Sequence, residues 1–323
     1  MTLSTPWARA MDLDVPVVNA PMGGIAGGRL ARAVSDAGGL GMIGAGSAAS
    51  VAVLRRELAV VRDSGSRFGV GLIGWKCARE PDLLSVALEA SPTLVAVSFT
   101  EDFGWINLAK DAGASTAMQV SDPTSARQAE QAGVDVIVAR GAEGGGHGEP
   151  EMGTLPLLEA VLDAVSVPVL AAGGIASSRG LAAILAAGAA GAWIGTAFAA
   201  CRESLASDAA RAQLIEAAGT DTVLTSVFDV ALGYEWPRRF PERVLRNDYW
   251  ELWAGREDEL EGDAKARAAL ASAIVDDDVR IAHIDAGQGV GMVTEVATAA
   301  KVLERLCTGA ESLLLAAGAG WST

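Results

Sequence analysis

The sequence predicts an α/β protein built as a (β/α)8 TIM barrel, with a mostly helical lid subdomain inserted near its carboxyl end. Eight short apolar segments alternate with helix-like segments between residues 15 and 196. The apolar character of these segments is nearly continuous, which is typical of parallel strands that are buried on both faces. Several helix candidates end at a glycine just before the next strand, as at Gly38, Gly133 and Gly188. Eight such units favour a closed barrel, and a doubly wound open sheet is the main alternative.

The order of the predicted elements follows from these patterns. Strands are expected over residues 15–19, 40–43, 68–73, 94–98, 115–120, 134–139, 167–171 and 192–195. Helices are expected over residues 29–37, 51–62, 81–89, 123–132, 155–164 and 178–187. The fourth unit is the weakest, because residues 100–111 are too short for a clear full-length helix. Residues 293–309 look like a helix that returns to the barrel.

The character of the chain changes after residue 196. Aromatic residues alternate there with arginines, and they comprise Tyr234, Trp236, Tyr249, Trp250 and Trp253. We therefore predict a barrel formed by residues 1–218 and 291–323, and a lid formed by residues 219–290. The aromatic segment could cover a substrate, hold a bulky cofactor or form the surface of a homodimer, and the pattern does not decide among these.

The amino-acid composition of the chain limits the kinds of partner that it is expected to bind. The net charge is −15 and no lysine or arginine cluster stands out, which argues against a nucleic-acid partner. No uninterrupted apolar stretch reaches the roughly 18–20 residues of a membrane span, and the first residues lack the basic start and apolar core of an export signal. Three widely spaced cysteines fit free thiols in a reducing cytoplasm. With two histidines in the chain, no histidine-based metal site is expected.

In a barrel of this kind the functional site lies at the carboxyl ends of the strands. Ala20-Pro21-Met22-Gly23-Gly24 follows the first predicted strand, Gly173-Gly174 follows the seventh and Gly195-Thr196 follows the eighth. Glycines let backbone N–H groups approach a phosphate, and the loops after strands seven and eight are the usual phosphate position. A tight turn is the alternative for Gly173-Gly174 alone. Because no Gly-x-Gly-x-x-Gly fingerprint opens a βαβ unit, a mononucleotide such as FMN fits better than a dinucleotide.

One histidine lies inside a glycine-rich loop after the sixth predicted strand, in Arg140-Gly141-Ala142-Glu143-Gly144-Gly145-Gly146-His147. An imidazole exchanges protons near neutral pH, so His147 is the candidate catalytic group. A histidine that packs for structural reasons is the alternative. Glu143 could orient His147 or simply stabilise the loop. His283 lies in an alternating segment typical of an extended strand, which indicates a structural role.

These motifs resemble those of the nitronate monooxygenase (2-nitropropane dioxygenase) family of FMN-dependent barrels. Relatives of that family include FMN-containing enoyl-acyl-carrier-protein reductases and NADH:quinone reductases. The resemblance runs from Asn19-Ala20-Pro21-Met22 to Ala286-Gly287-Gln288-Gly289-Val290-Gly291. Its most specific part is the His147 loop, which is similar to the family's Gly-x-Glu-Ala-Gly-Gly-His. Residues 167–175 and 191–196 are similar to the family's phosphate-binding segments.

The resemblance implies an FMN site. It implies that Ala20, Pro21 and Met22 flank the isoalloxazine, that His147 meets the substrate, and that the ribityl phosphate is held by Gly145, Gly146, Gly173, Gly174, Gly195 and Thr196. Gln119, Gly71 and Arg140 are also expected among the cofactor-binding residues.

Two positions depart from the family pattern. The family commonly has Gln where this chain has Arg140, and Asn at the end of strand three, where this chain offers Gly71. Arg140 could place a positive charge near the flavin or an anionic substrate.

The resemblance further implies oxidation of alkyl nitronates by O2 to carbonyl compounds and nitrite. The alternatives are an NAD(P)H-dependent reductase of an enoyl thioester or a quinone, and a non-catalytic flavin- or phosphate-binding scaffold. The intact His147 loop speaks against the scaffold.

Overall fold

The computed structural model describes residues 3–62 and 65–320. The strands are β1 (Val17–Asn19), β2 (Gly41–Ala45), β3 (Phe68–Ile73), β4 (Leu94–Ser98), β5 (Ser115–Val120), β6 (Val136–Arg140), β7 (Gly146–His147), β8 (Val169–Ala172), β9 (Gly191–Ile194), β10 (Thr222–Thr225) and β11 (Glu242–Leu245). The residues at positions 1–2, 63–64 and 321–323, which belong to the predicted barrel ranges, lie outside the described residues.

Eight of these strands form one parallel sheet in the order β1-β9-β8-β6-β5-β4-β3-β2. The first and last strands of that order meet through a bridge between Val18 and Leu40, so the sheet closes into a (β/α)8 barrel. The Asn19 side chain completes the closure, since its Nδ2 donates to the Met42 carbonyl at 2.9 Å and its Oδ1 accepts from the Met42 amide at 2.8 Å. The predicted barrel is confirmed and the open sheet is excluded.

The helices of the described chain are α1 (Pro6–Ala10), α2 (Gly28–Asp36), α3 (Val51–Arg62), α4 (Gly74–Arg79), α5 (Asp82–Glu89), α6 (Gly104–Asp111), α7 (Pro123–Gln131), α8 (Thr154–Leu162), α9 (Ser178–Ala186), α10 (Thr196–Ala199), α11 (Asp208–Glu216), α12 (Val227–Leu232), α13 (Asp248–Trp253), α14 (Glu257–Gly262), α15 (Ala264–Asp276) and α16 (Ala299–Gly320). Capping side chains fix the residue at which several of these helices begin. At α7, for example, Asp122 Oδ1 accepts hydrogen bonds from the amides of Thr124 and Ser125, and Pro123 occupies the first turn.

The structure refines three of the sequence-based element predictions. The uncertain fourth unit does contain a helix, α6, which is short because it begins only at Gly104. The segment predicted to be a strand or extended around His283 is only partly extended: the amides of Ile281 and Ala282 donate to the Asp278 carbonyl in a turn, and Asp285 then forms an antiparallel bridge with Val244. The returning helix exists, but it is α16 and begins at Ala299 instead of residue 293.

The barrel has two layers of apolar packing. Its interior contains Val18, Leu40, Met42, Val138 and Leu170, while the opposite faces of the strands pack against the surrounding helices. Trp7 of α1 belongs to the interior cluster and lies beside Gly191, the first residue of β9. Helix α1 therefore covers the amino-terminal end of the barrel and leaves the carboxyl end free for a site.

The segment 219–290 contains α12–α15 together with β10 and β11, so it is not entirely helical. Its residues form a separate apolar cluster that includes Phe228, Val244, Tyr249, Trp253 and Leu270. Strand β11 pairs antiparallel with β10 on one side and with β7 of the histidine loop on the other. This segment is thus joined to the barrel by backbone hydrogen bonds at the loop that carries His147.

Candidate active site

A cavity of about 660 Å³ lies at the carboxyl ends of the barrel strands and extends to the segment 219–290. Its size is typical of small-molecule sites. The thirteen residues that the sequence singled out all line it, namely Ala20, Pro21, Met22, Gly71, Gln119, Arg140, Gly145, Gly146, His147, Gly173, Gly174, Gly195 and Thr196. Their individual roles stay predictions, but the fold brings them to one place.

Close packing between β3 and the loop that follows β1 explains the glycine at position 71. A Cβ built on Gly71 would lie 2.2 Å from Cγ of Pro21, well inside van der Waals contact. The Pro21 ring therefore fills the space into which a longer side chain at this position would extend. The departure from the family's asparagine is a matter of packing in this chain.

The Arg140 side chain is buried within the histidine loop. Its Nη2 donates to the carbonyls of Gly144, Gly145 and Gly146 at 2.7, 3.2 and 2.9 Å. A Cβ at Gly144 or Gly148 would collide with the guanidinium, at 2.6 and 2.2 Å. Burial lowers the pKa of Arg140 to about 10, with the neighbouring Arg243 adding to the effect, so the group is still charged at neutral pH. Arg140 and these glycines thus fit one another, and the guanidinium holds the loop in shape.

The predicted phosphate segments have the shape of an anion cradle. Gly173 and Gly174 have φ angles of +108° and +67°, which L-residues rarely adopt. A Cβ at Gly195 would meet nothing closer than Met22 Sδ at 3.6 Å, so the glycine leaves room that protein neighbours do not need. The Thr196 hydroxyl accepts a hydrogen bond from the Gly287 amide at 3.0 Å, which leaves its proton available to donate.

His147 is held by two residues from the segment 219–290. Its Nε2 lies 2.9 Å from Oδ2 of the buried Asp229. The Trp236 ring stacks on the imidazole with a centroid distance of 3.6 Å and an interplanar angle of 9°, and its Nε1 donates to Ser47. His147 Nδ1 makes no hydrogen bond within residues 3–62 and 65–320. Asp229 therefore fixes the ring through Nε2 and leaves Nδ1 as the atom that can take a proton.

The titratable groups around His147 are mostly carboxyl groups. Glu242 pairs with His147 in the β7–β11 register and is almost fully buried, and the exposed side chain of Asp285 lines the same cavity. Burial raises the pKa of Glu242 well above its usual range, and Asp285 and Asp229 raise it further. Burial also raises the pKa of Asp229, whereas the hydrogen bond with His147 lowers it in part.

The sequence offered no sign of Asp229 and Glu242, which lie outside any recognisable motif, and Asp229 is 82 residues from His147. Trp236 belongs to the aromatic segment noted in the sequence, but its stacking on His147 was not predicted. Glu143 has the loop-stabilising role: its Oε2 accepts from the amide and hydroxyl of Thr154 at the start of α8, both at 2.8 Å. His283 also lines the cavity and packs against the Phe228 ring at 5.3 Å.

The residues present fit a flavin mononucleotide. The cradle formed by Gly173, Gly174, Gly195 and Thr196 suits one phosphate, and the buried Arg140 Nη1 has no hydrogen-bond partner in the described chain. The cavity that these residues share with His147 is lined mainly by apolar surface. No helix among the described residues combines the length and apolar character needed to cross a membrane.

The barrel, the glycine-rich cradle and His147 together indicate a flavin-dependent oxidoreductase. A sequence profile of the nitronate monooxygenase family matches residues 5–73 and 77–309. The chain belongs to the nitronate monooxygenase family, as its motifs predicted, and it is a flavin-dependent oxidoreductase.

Several known proteins are similar to this chain. It is 33% identical over 280 residues to the (3aS,4S,5R,7aS)-5-hydroxy-7a-methyl-1-oxo-octahydro-1H-indene-4-carboxyl-CoA dehydrogenase of Mycobacterium tuberculosis, covering 84% of this chain and 72% of that protein. It is 30% identical to a nitronate monooxygenase of Paraburkholderia phytofirmans, over 71% and 75% of the two chains.

Solved structures agree with the fold. FabK from Thermotoga maritima superposes with a TM-score of 0.85 at 28% identity, covering 98% of this chain and 99% of its own. A nitroalkane oxidase from Streptomyces ansochromogenes gives a TM-score of 0.82 at 28% identity, with coverage of 96% and 99%.

We predict that Gly71→Ala destabilises the protein by about 1–3 kcal/mol, because the added methyl group overlaps the Pro21 ring. Gly262→Ala is the matched control, since a Cβ there meets nothing within 4 Å. Urea unfolding of both variants checks the prediction. Equal midpoints for Gly71→Ala and the wild type would contradict the packing argument.

We predict that Glu242→Gln stabilises the protein increasingly as pH rises. A carboxyl whose folded pKa is raised contributes stability below its unfolded pKa and loses that stability as pH rises through the folded value. The glutamine cannot ionise, so the variant escapes this loss. Melting temperatures should agree near pH 4 and diverge by a few degrees at pH 8, at about 2–4 °C per kcal/mol. A difference that is independent of pH would show that Glu242 does not titrate abnormally.

Proposed function

We propose that this protein binds FMN and oxidises alkyl nitronates, together with the nitroalkanes from which they form, using O2. In balanced form, two nitronates and one O2 give two carbonyl compounds and two nitrites. The observation that supports this most is the His147–Asp229 pair beside the predicted flavin site. Similarity to a nitronate monooxygenase and to a nitroalkane oxidase supports the same substrate class.

The bound flavin would supply the redox chemistry, by accepting electrons from the substrate and passing them to O2. Gly173, Gly174, Gly195 and Thr196 would hold its phosphate. Ala20, Pro21 and Met22 would flank the ring system, with Gly71, Gln119 and Arg140 nearby.

His147 would handle the substrate proton. A neutral nitroalkane must lose its α-proton before it is oxidised, and Nδ1 of His147 is the available base. With its proton on Nε2, His147 would donate a hydrogen bond to Asp229. The Asp229 carboxylate would then stabilise the imidazolium that forms when Nδ1 takes up the substrate proton. The stacked Trp236 ring holds the imidazole plane and keeps water from one face. A preformed nitronate needs no such proton transfer.

A second function is supported by a different observation. The relative with 33% identity is a dehydrogenase of a carboxyl-CoA substrate, and FabK, whose fold matches this one closely, is similar over almost the whole chain. The alternative is an FMN-dependent NAD(P)H reductase that acts on an enoyl thioester or a quinone.

We predict that His147→Asn and Asp229→Asn keep FMN but lose about a hundredfold or more in turnover of nitroethane at pH 7, because proton abstraction fails. Turnover of ethylnitronate, which is already deprotonated, should fall far less. Stopped-flow measurement of flavin bleaching with each substrate separates the two effects. Equal losses on both substrates in the two variants would remove the pair from proton transfer and leave it a structural role.

The flavin spectrum of the purified protein decides between the two functions. Under anaerobic conditions we expect bleaching or a semiquinone on addition of ethylnitronate and little change on addition of NADH or NADPH. Rapid bleaching by a nicotinamide alone would establish the reductase instead. A protein that shows no flavin bands even after reconstitution with FMN would overturn both.

A further inference from the structure

The part of the cavity that the segment 219–290 contributes is rich in carboxyl groups. Asp229, Glu242 and Asp285 all line it. Glu242 is 2% exposed, and its Oε1 has no hydrogen-bond partner among the described residues. Neither Glu242 nor Asp285 forms an ion pair within the described chain, and Asp229 is bonded to His147. A buried carboxyl oxygen without a donor is costly, which indicates that a group outside the chain supplies one.

The protein provides little positive charge to balance these groups. Arg140 is the only arginine or lysine among the residues that line the cavity. Its Nη2 is committed to three loop carbonyls, and its guanidinium lies against Gly144 and Gly148. Asp285 is close enough to Arg140 to interact with its charge and Asp229 is bonded to His147, so Glu242 Oε1 is the oxygen for which the described chain supplies no donor.

Aromatic rings border the same region. Trp236, Phe99 and Tyr234 line the cavity, and the Trp236 and Phe99 rings meet edge to face at 4.8 Å. Phe99 has a φ of +63°, an unusual conformation for a bulky residue, and this strained backbone follows directly after β4. Aromatic rings next to carboxylates are the combination that recognises organic cations, because the ring faces attract positive charge.

We infer that Glu242 and Asp285, together with Trp236 and Phe99, form a subsite for a protonated amine on the substrate. The ammonium supplies three N–H donors, which matches the unpartnered Oε1 of Glu242. This inference rests on the proposed function, since it names the substrate class of the same site. The expected substrate carries both an amine, which binds this subsite, and the reacting carbon, which lies by His147.

A matched series of three ligands tests the subsite without turnover. Butylammonium, butan-1-ol and butanoate share one chain and differ in the charge of the head group. Binding to the FMN-loaded protein is measured by calorimetry at pH 8 with EDTA present. We expect butylammonium to bind at least about tenfold tighter than butan-1-ol, as a charged hydrogen bond provides, and butanoate to bind most weakly. Equal affinities, or the tightest binding for butanoate, would overturn the inference.

Two variants connect the preference to named residues. Glu242→Gln should bring the affinity for butylammonium down to that for butan-1-ol, and Asp285→Asn should reduce it in part. Asp285 has an exposed side chain, so this second variant tests the subsite without disturbing buried packing. Glu304→Gln, on the exposed face of α16, is the control and should keep the preference. An unchanged preference in both site variants would place the amine elsewhere and refute the assignment.

A metal ion is the competing occupant, because ligand atoms of His147, Asp229 and Glu242 lie within 4.8 Å of one another. Titration with Zn²⁺ or Mn²⁺ in the absence of EDTA distinguishes the two. Metal binding that requires Glu242, combined with no preference for butylammonium, would overturn the amine subsite. Failure of the proposed function is a separate result, since it appears as the absence of nitroethane oxidation and does not affect the binding series.

Discussion

The candidate site depends on one short antiparallel pairing. Gly146 and His147 of β7 lie opposite Arg243 and Glu242 of β11, and this pairing joins the barrel loop to the segment 219–290. Arg243 strengthens the junction by donating to the Ala142 carbonyl at 3.0 Å. Without this register His147 would still lie in the loop that follows barrel strand β6, but Asp229, Trp236 and Glu242 would not surround it.

The interior of the histidine loop is organised by a second constraint, which is the buried guanidinium of Arg140. Loop carbonyls usually find donors in secondary structure or in water. Here three successive carbonyls share one side chain, and the glycines at 144 and 148 are small because the guanidinium occupies the adjoining space. The apparent departure from the family's glutamine is therefore tied to the glycine content of the loop. The guanidinium of Arg140 therefore has a structural role in the loop, whether or not its charge also acts on a flavin.

The barrel and its share of the site could be predicted from the sequence because their signals are local. Buried parallel strands give continuous apolar runs, and the glycines of the cradle follow those runs directly. The groups around His147 could not be predicted in this way. Asp229 lies on the short helix α12, Glu242 reaches the site through a strand pairing of distant segments, and Trp236 lies between these two elements. Such a pairing leaves no periodic trace, and the sequence signal for β11 was hidden among arginines and aromatic residues.

The separate origin of these two sets of groups has an evolutionary consequence. The predicted phosphate cradle comes from barrel loops, whereas the carboxyl groups and the ring that stacks on His147 come from a segment with its own apolar cluster. Substitutions in that segment can change charge and shape around His147 while leaving the barrel loops intact. One inherited scaffold can in this way diversify toward new chemistry by drift and selection in a single insertion.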